Sequence, residues 1–451
     1  MENYITILDF VVLPIVLFII YFVFLTARNK WYPKGHPWRP YFIPALTLKI
    51  IGAIAITLIY VYYYKGGDTI NYFAQAKVIN SALEDSFVKW FGLLTRIPSQ
   101  YSTGYYQYIS QLIWYPDDAA TYYTCAVTAV VNLFTFQTLL PTAVVFATIS
   151  FTGIWAMFRT FATIYPHLAK HLAICICFIP SVIVWGSGIF KDTICMFALG
   201  WLCYTVFEIL IKRNFSFPNI ILLIISVIIL RFIKVYILMA FLPAIVLWIL
   251  FNYSKSIKDV AARIMLIIIV TSATIAVSYY IFTRMGEESL GRYSLEKIAK
   301  TVVITRDYII EKSSDESSAY DLGEYTSIQD MILKAPAAIN VTLFRPYIWE
   351  SKKVLVMLTA LESLLFLLIT IKVIIVVGLG RVWRTIVTDP NIQFFLIFTL
   401  VFSFAIGLTS GNFGTLSRYK IPCLPFYGMA LVLIYYKNMP LSKKLFRPIG
   451  L

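Results

Sequence analysis

Charge and histidine are both scarce in this chain. Of its 451 residues only 14% are Asp, Glu, Lys or Arg, and three are His. Soluble domains carry charge at roughly a quarter of their positions, so composition alone argues against an ordinary soluble enzyme. Apolar residues take the place of the missing charge. Sixty per cent of the chain is hydrophobic and its mean hydropathy is +0.78. Apolar runs of roughly 18 or more residues recur, the length at which a helix crosses a bilayer. An all-α, polytopic membrane protein is expected.

Other absences narrow the function. There is no Walker or glycine-rich nucleotide loop, so ATP and nucleotide sugars are not expected substrates. The six cysteines, Cys125, Cys175, Cys177, Cys195, Cys203 and Cys423, show no C-x-x-C spacing and sit in or beside apolar segments, where they are expected to pack as small hydrophobes. No internal repeat or low-complexity tract is visible. The opening MENYITILDF has neither a basic n-region nor a small-residue cleavage site after its apolar run, so the first hydrophobic segment reads as a retained span.

Reading the apolar runs as helices places eleven crossings, two of them short, at about 5–27, 42–64, 138–158, 171–185, 193–211, 218–232, 237–252, 264–282, 354–378, 392–409 and 420–436. Alternate connections are basic, among them the one with Arg28, Lys30, Lys34 and Arg39 and the one with Arg381 and Arg384. The positive-inside rule puts that set in the cytoplasm, with the N-terminus outside and the C-terminus inside. The net charge of +15 is thereby largely explained by topology and by attraction to anionic lipid, and nucleic acid is not an expected partner. The whole chain reads as one integral membrane domain. Two long outer loops, 65–137 and 283–353, are balanced in charge and rich in aromatics, and amphipathic surface helices are expected there. The stretch EKSSDESSAYDLGEY in the second reads as a mobile segment. In the same loop Asn340-Val-Thr is a sequon that a eukaryotic secretory route would glycosylate.

A channel or coupled transporter carries ionisable groups or broken helices near the bilayer midplane. Few are visible here: Lys49 and Glu208 lie toward inner ends and are expected to snorkel, Asp9 lies near an outer end, and Glu362 and Lys372 flank one span. The polar groups gather at outer helix ends instead. Asp68 follows YYYKGG, with Tyr72 beyond it; Lys191 and Asp192 follow a double-glycine break in PSVIVWGSGIFKDT; Arg231 and Lys234 share the short turn LRFIKVYI; Arg418 follows SGNFGTLS; and LFRPYIWESKK brings Arg345 and Glu350. Cations in short outer loops oppose the positive-inside trend and call for a compensating anion. Phosphate fits, because Arg forks onto its oxygens, Lys supplies a point charge and a helix N-terminus supplies free N–H groups. The plainer reading of each residue is an interfacial cation or a helix cap. All three histidines, His36, His167 and His171, fall toward the cytoplasmic side, which leaves a carboxylate, Asp68, as the expected outer-face base.

An acidic residue just past an early span, in the setting Gly67-Asp68 followed by Tyr72 and an amphipathic outer helix, resembles the first outer loop of the multi-spanning C-fold glycosyltransferases, whose donors are polyprenyl-phosphate-linked sugars. PSVIVWGSGIFKDT and SRYKIPCLPF are similar to segments of such bacterial membrane proteins and of related polysaccharide polymerases. The resemblance implies a transferase of the bacterial cytoplasmic membrane serving cell-envelope or exopolysaccharide assembly, with a glycan or lipid acceptor. It makes Asp68 the catalytic base. Lys191, Arg231, Lys234 and Arg418 are candidates for the donor phosphate by position and charge, and Tyr72, Trp114, Trp185, Arg345 and Glu350 for sugar or acceptor contacts. Two features depart from the family. An additional span precedes the one leading to Asp68, and a single acid stands where the family has an adjacent pair. No cofactor is implied, and a divalent metal has no ligand set to support it. A repeat-unit polymerase and a lipid-linked oligosaccharide flippase are the alternatives.

Overall fold

A computed structural model describes residues 4–98, 102–115, 117–254, 319–323, 327–351 and 353–439, with short pieces between 259 and 311. The described chain is helical, and its β pairing is one isolated bridge between Ala319 and Asn412. Seven helices are long and apolar enough to cross a membrane: Ile7–Trp31, Arg39–Tyr63, Leu139–Ile164, Lys191–Ile211, Val235–Ser254, Val354–Val377 and Pro390–Ser410. Each matches an expected crossing. Phe18 of the first is 71% exposed and Ile375 of the sixth 74%. Apolar surface of that kind is stable against lipid and not against water, so the chain is a polytopic membrane protein.

The remaining expected crossings differ. The 171–185 run is two short helices separated at Phe178 and Ile179, because Pro180 has no N–H to carry the first helix onward. The runs at 218–232 and 420–436 form helices of 17 and 15 residues. The 264–282 run and the serine-rich acidic stretch lie largely outside the described residues. Within the stretch read as the first outer loop stands a 16-residue apolar helix, Ala119–Phe134, whose hydropathy is diluted by threonine and tyrosine. Its Thr124 and Thr128 hydroxyls donate to Ala120 and Thr124 carbonyls four residues back, so these polar groups are satisfied within the helix.

The chain divides into two compact units, residues 1–235 and 236–451. The first holds α1 (Ile7–Trp31), α2 (Arg39–Leu58, continued by a π turn over Ile59–Tyr63), α3 (Asp68–Asp85), α4 (Phe87–Thr95), α5 (Tyr106–Ile109), α6 (Ala119–Phe134), α7 (Leu139–Ile164), α8 (Ala169–Cys177), α9 (Pro180–Trp185), α10 (Lys191–Val206) and α11 (Phe217–Ile233). Asp9 stands one turn into α1 and is 1% exposed. One carboxylate oxygen closes a capping box with Thr6, and the other accepts from the Leu140 N–H at 2.9 Å, capping the start of α7.

The α7–α10 crossing is set by two glycines. A Cβ on Gly200 would lie 1.9 Å from the Gly153 carbonyl oxygen, and one on Gly153 would lie 2.3 Å from that of Phe197. The two backbones touch, as small residues allow where no water exists to drive helices together. Gly200→Leu is therefore expected to destabilise by about 3 kcal/mol, the upper end for overpacking. Gly380→Ala, with open space around it, should leave the unfolding midpoint in detergent within a degree or two of the parent or raise it, since alanine is the better helix former.

The second unit contains α12 (Val235–Ser254, all but its first residue), α13 (Ile328–Leu333), α14 (Ala335–Phe344), α15 (Val354–Val377), α16 (Leu379–Thr388), α17 (Pro390–Ser410), α18 (Phe413–Tyr419) and α19 (Leu424–Asn438). Its core is aromatic: Phe426 of α19 packs edge-on against Phe398 of α17 at 4.6 Å and lies 6.4 Å from Phe241 of α12. Asn340 lies inside α14 with its amide donating to the Tyr347 hydroxyl at 3.3 Å. A helical setting of this kind differs from the surface loop a glycosylated sequon occupies.

Candidate functional site

The π turn at the end of α2 delivers the chain to the site. Its five residues, Ile59–Tyr63, widen the helix by one residue per turn, and Gly67 at φ 102° then turns the backbone into α3. Only glycine adopts that φ without strain. Asp68 is the first residue of α3, half-buried, where a carboxylate is favoured by the unpaired N–H groups of the first turn. With Tyr60, Tyr64, Gly66 and Gly67 it lines an open cleft of about 400 Å³.

Lys191 opens α10. Its Nζ donates to the Thr121 hydroxyl and stands 3.7 Å from Asp118 Oδ2. Asp118 caps α6 through the Thr121 N–H at 3.0 Å and also accepts from the Thr121 hydroxyl. Tyr60, which lines the cleft with Asp68, packs 5.3 Å from the ring of Phe190, the residue before Lys191. The starts of α6 and α10 therefore meet at Asp118, Thr121 and Lys191, and the cleft of Asp68 adjoins the start of α10. Asp118 is the member that sequence reasoning missed. Proline and two aspartates before an apolar run, PDDAA, signal a helix start, but nothing local says which lysine that cap will meet.

The other expected site residues have different settings. Lys234 is 6% exposed and forms a buried ion pair with Asp192, whose side chain is fully covered. Its charge is balanced by Asp192 inside the protein. Arg231 is exposed in the last turn of α11. Tyr72 is 2% exposed and packs edge-on against Trp114 at 5.8 Å, while Trp185 is 7% exposed beside Phe190 at 6.2 Å. The rings of Tyr72 and Trp185 are largely covered by neighbouring side chains, and Trp114 is half-buried. Arg418 is half-buried in α18 of the second unit. Arg345, also in that unit, forks onto Glu350, with Nε 3.1 Å from both carboxylate oxygens, and its guanidinium lies 5.1 Å from the Phe413 ring centre and 5.9 Å from that of Tyr320. This is an internally satisfied clamp. Lys420 is fully buried, donating to Ser363 Oγ at 2.7 Å and to the Arg345 carbonyl at 3.3 Å.

Lys49 departs furthest from expectation. Rather than snorkelling, it is 1% exposed close to the midpoint of the apolar helix Arg39–Tyr63. Its Nζ donates to the Gly186 carbonyl at 2.5 Å, the Val182 carbonyl at 3.0 Å and Ser150 Oγ at 3.2 Å. Val182 and Gly186 are the last turn of α9 and the residue that ends it, where carbonyls have no intrahelical donor and the dipole is negative. The ammonium thus caps a half-helix inside the protein and holds the double-glycine break that leads into Lys191. Gly52 makes the same approach possible, since a Cβ there would lie 2.4 Å from the Ile183 carbonyl oxygen.

Among the described residues no group of three or more His, Cys, Asp or Glu side chains is placed to hold a metal ion. Compared with known families, curated proteins and solved structures, the chain matches none of them.

Proposed function

We propose that this chain is a membrane glycosyltransferase that draws on a polyprenyl-phosphate-linked sugar at the outer face of a bacterial cytoplasmic membrane, for cell-envelope or exopolysaccharide assembly. The observation that carries the reading is a carboxylate, Asp68, lining an open cleft whose Tyr60 packs 5.3 Å from the ring of Phe190, the residue before Lys191. In the proposed step the acceptor hydroxyl oxygen bonds to the anomeric carbon of the sugar as the bond from that carbon to the donor phosphate breaks. Asp68 takes the hydroxyl proton, and the leaving phosphate keeps the electron pair. Lys191, which shares its charge with Asp118, turns toward the phosphate as negative charge builds there, and the positive end of the α10 dipole adds to it. Exposed Arg231, in the last turn of α11, is the candidate for steering the anionic donor. A polymerase joining lipid-linked oligosaccharides would use the same groups on a larger acceptor.

A flippase is the second reading, favoured by one observation. Lys49 puts a cation at the middle of an apolar helix and against the end of the half-helix α9, as carriers do at their substrate sites. Mass spectrometry of lipid-linked sugars in cells depleted of the protein separates the two, with an impermeant periodate label reporting the leaflet. Accumulation on the outer leaflet supports transfer. Accumulation on the inner leaflet replaces it with flipping, and unchanged lipid-linked pools dismiss both.

A further inference from the structure

The short helix α16 has no place in the transfer chemistry and an unusual surface. Taken around the helix at 3.6 residues per turn, Val382, Ile386, Leu379, Trp383 and Val387 occupy one contiguous arc. Its outer members are open: Leu379 is 72% exposed, Trp383 69% and Val387 53%. Arg381 and Arg384 are exposed on the adjoining arc. The remaining face is taken by the protein, since Thr385 is buried and its hydroxyl accepts from the Asn438 amide at the end of α19 at 2.7 Å. The helix therefore has three sectors, of which only one packs on the fold.

Connectivity says where this helix lies. It begins two residues after α15, a bilayer-length helix ending at Val377, and ends two residues before α17, another starting at Pro390. Both ends are held at a membrane boundary, and the ten residues between are too few and too polar to cross it. Gly378 at φ 85° makes the corner after α15. Asp389, which caps α17 through the Asn391 N–H at 2.8 Å and pairs with Lys437 of α19, makes the corner before α17. The corners hold α16 against the fold while leaving its apolar arc and its arginines uncovered.

We propose that α16 is a binding site for anionic phospholipid: Leu379, Trp383 and Val387 enter the boundary between headgroups and acyl chains, and Arg381 and Arg384 hold the headgroup phosphates. The occupant follows from the charge. Exposed arginines flanking an apolar stripe at a bilayer edge complement a negative lipid surface, and Trp at this depth keeps its ring in the boundary layer with its N–H toward the headgroups. A zwitterionic lipid would satisfy the stripe but not the arginines.

The test uses the full-length protein in neutral detergent micelles, titrated with brominated phosphatidylglycerol or brominated phosphatidylcholine while tryptophan fluorescence is followed. The parent should be quenched at a lower fraction of the anionic lipid. Trp383→Phe should lose that component of the quench. Arg381→Gln/Arg384→Gln should need roughly twenty-five-fold more anionic lipid, about fivefold for each arginine near the surface. Both variants change exposed side chains, and near-ultraviolet circular dichroism checks that the fold is kept. The proposal is overturned if the double variant keeps the preference for phosphatidylglycerol, or if Trp383→Phe is quenched like the parent. It is equally overturned if the parent is a dimer that Trp383→Phe converts to monomer, which would make a second copy the occupant.

Discussion

Asp68→Asn should remove transfer activity while leaving the protein folded. A positioned base contributes roughly 10²- to 10⁴-fold, and asparagine cannot take a proton. It is nearly isosteric with aspartate and remains acceptable at a helix start, so α3 loses only the favourable charge at its N-terminus, about 0.3–1 kcal/mol. Cells carrying the variant at parental expression should stop exporting polysaccharide and should accumulate lipid-linked donor. Lys191→Met tests the other half of the site. It should slow transfer and weaken donor binding together, since the lysine meets phosphate in both the ground state and the transition state. If Asp68→Asn leaves export intact, the carboxylate only caps α3, and Lys49 with its half-helix becomes the place to look for function.

The second large effect is on stability. Asp192→Ala removes the partner of Lys234, whose side chain is 6% exposed, from a pair in which the aspartate is fully covered. An uncompensated buried charge costs about 3–5 kcal/mol. The variant should unfold at a clearly lower temperature in detergent or fail to accumulate in the membrane. Asp192→Leu/Lys234→Met should recover most of that loss, because an apolar pair of similar volume carries no desolvation penalty. If the single and double variants unfold alike, the pair is not what holds the start of α10 to the end of α11. The same comparison bears on Lys234 as a phosphate ligand. A double variant that is stable and fully active would show that its charge serves only Asp192.

Bilayer crossing was legible because it is a local property: the length and hydropathy of a run do not depend on what the run packs against. The seven long helices follow from that alone. The 171–185 run misled because its apolar average hides Pro180, and the 119–134 helix was hidden because threonine and tyrosine lower its hydropathy while bonding within it. Tyr72 and Trp185 look like interfacial aromatics in sequence, and burial depends on neighbours that no local pattern names.

Sequence by itself determined that this is a polytopic helical membrane protein with few ionisable groups among its long apolar runs. Tertiary structure decided how those groups are used. Lys49 meets partners 101, 133 and 137 positions away, Asp118 meets Lys191, and Asp192 claims Lys234. Hydrogen bonds and contact ion pairs act over about 3–4 Å, and only the folded chain brings residues that distant in sequence within that range.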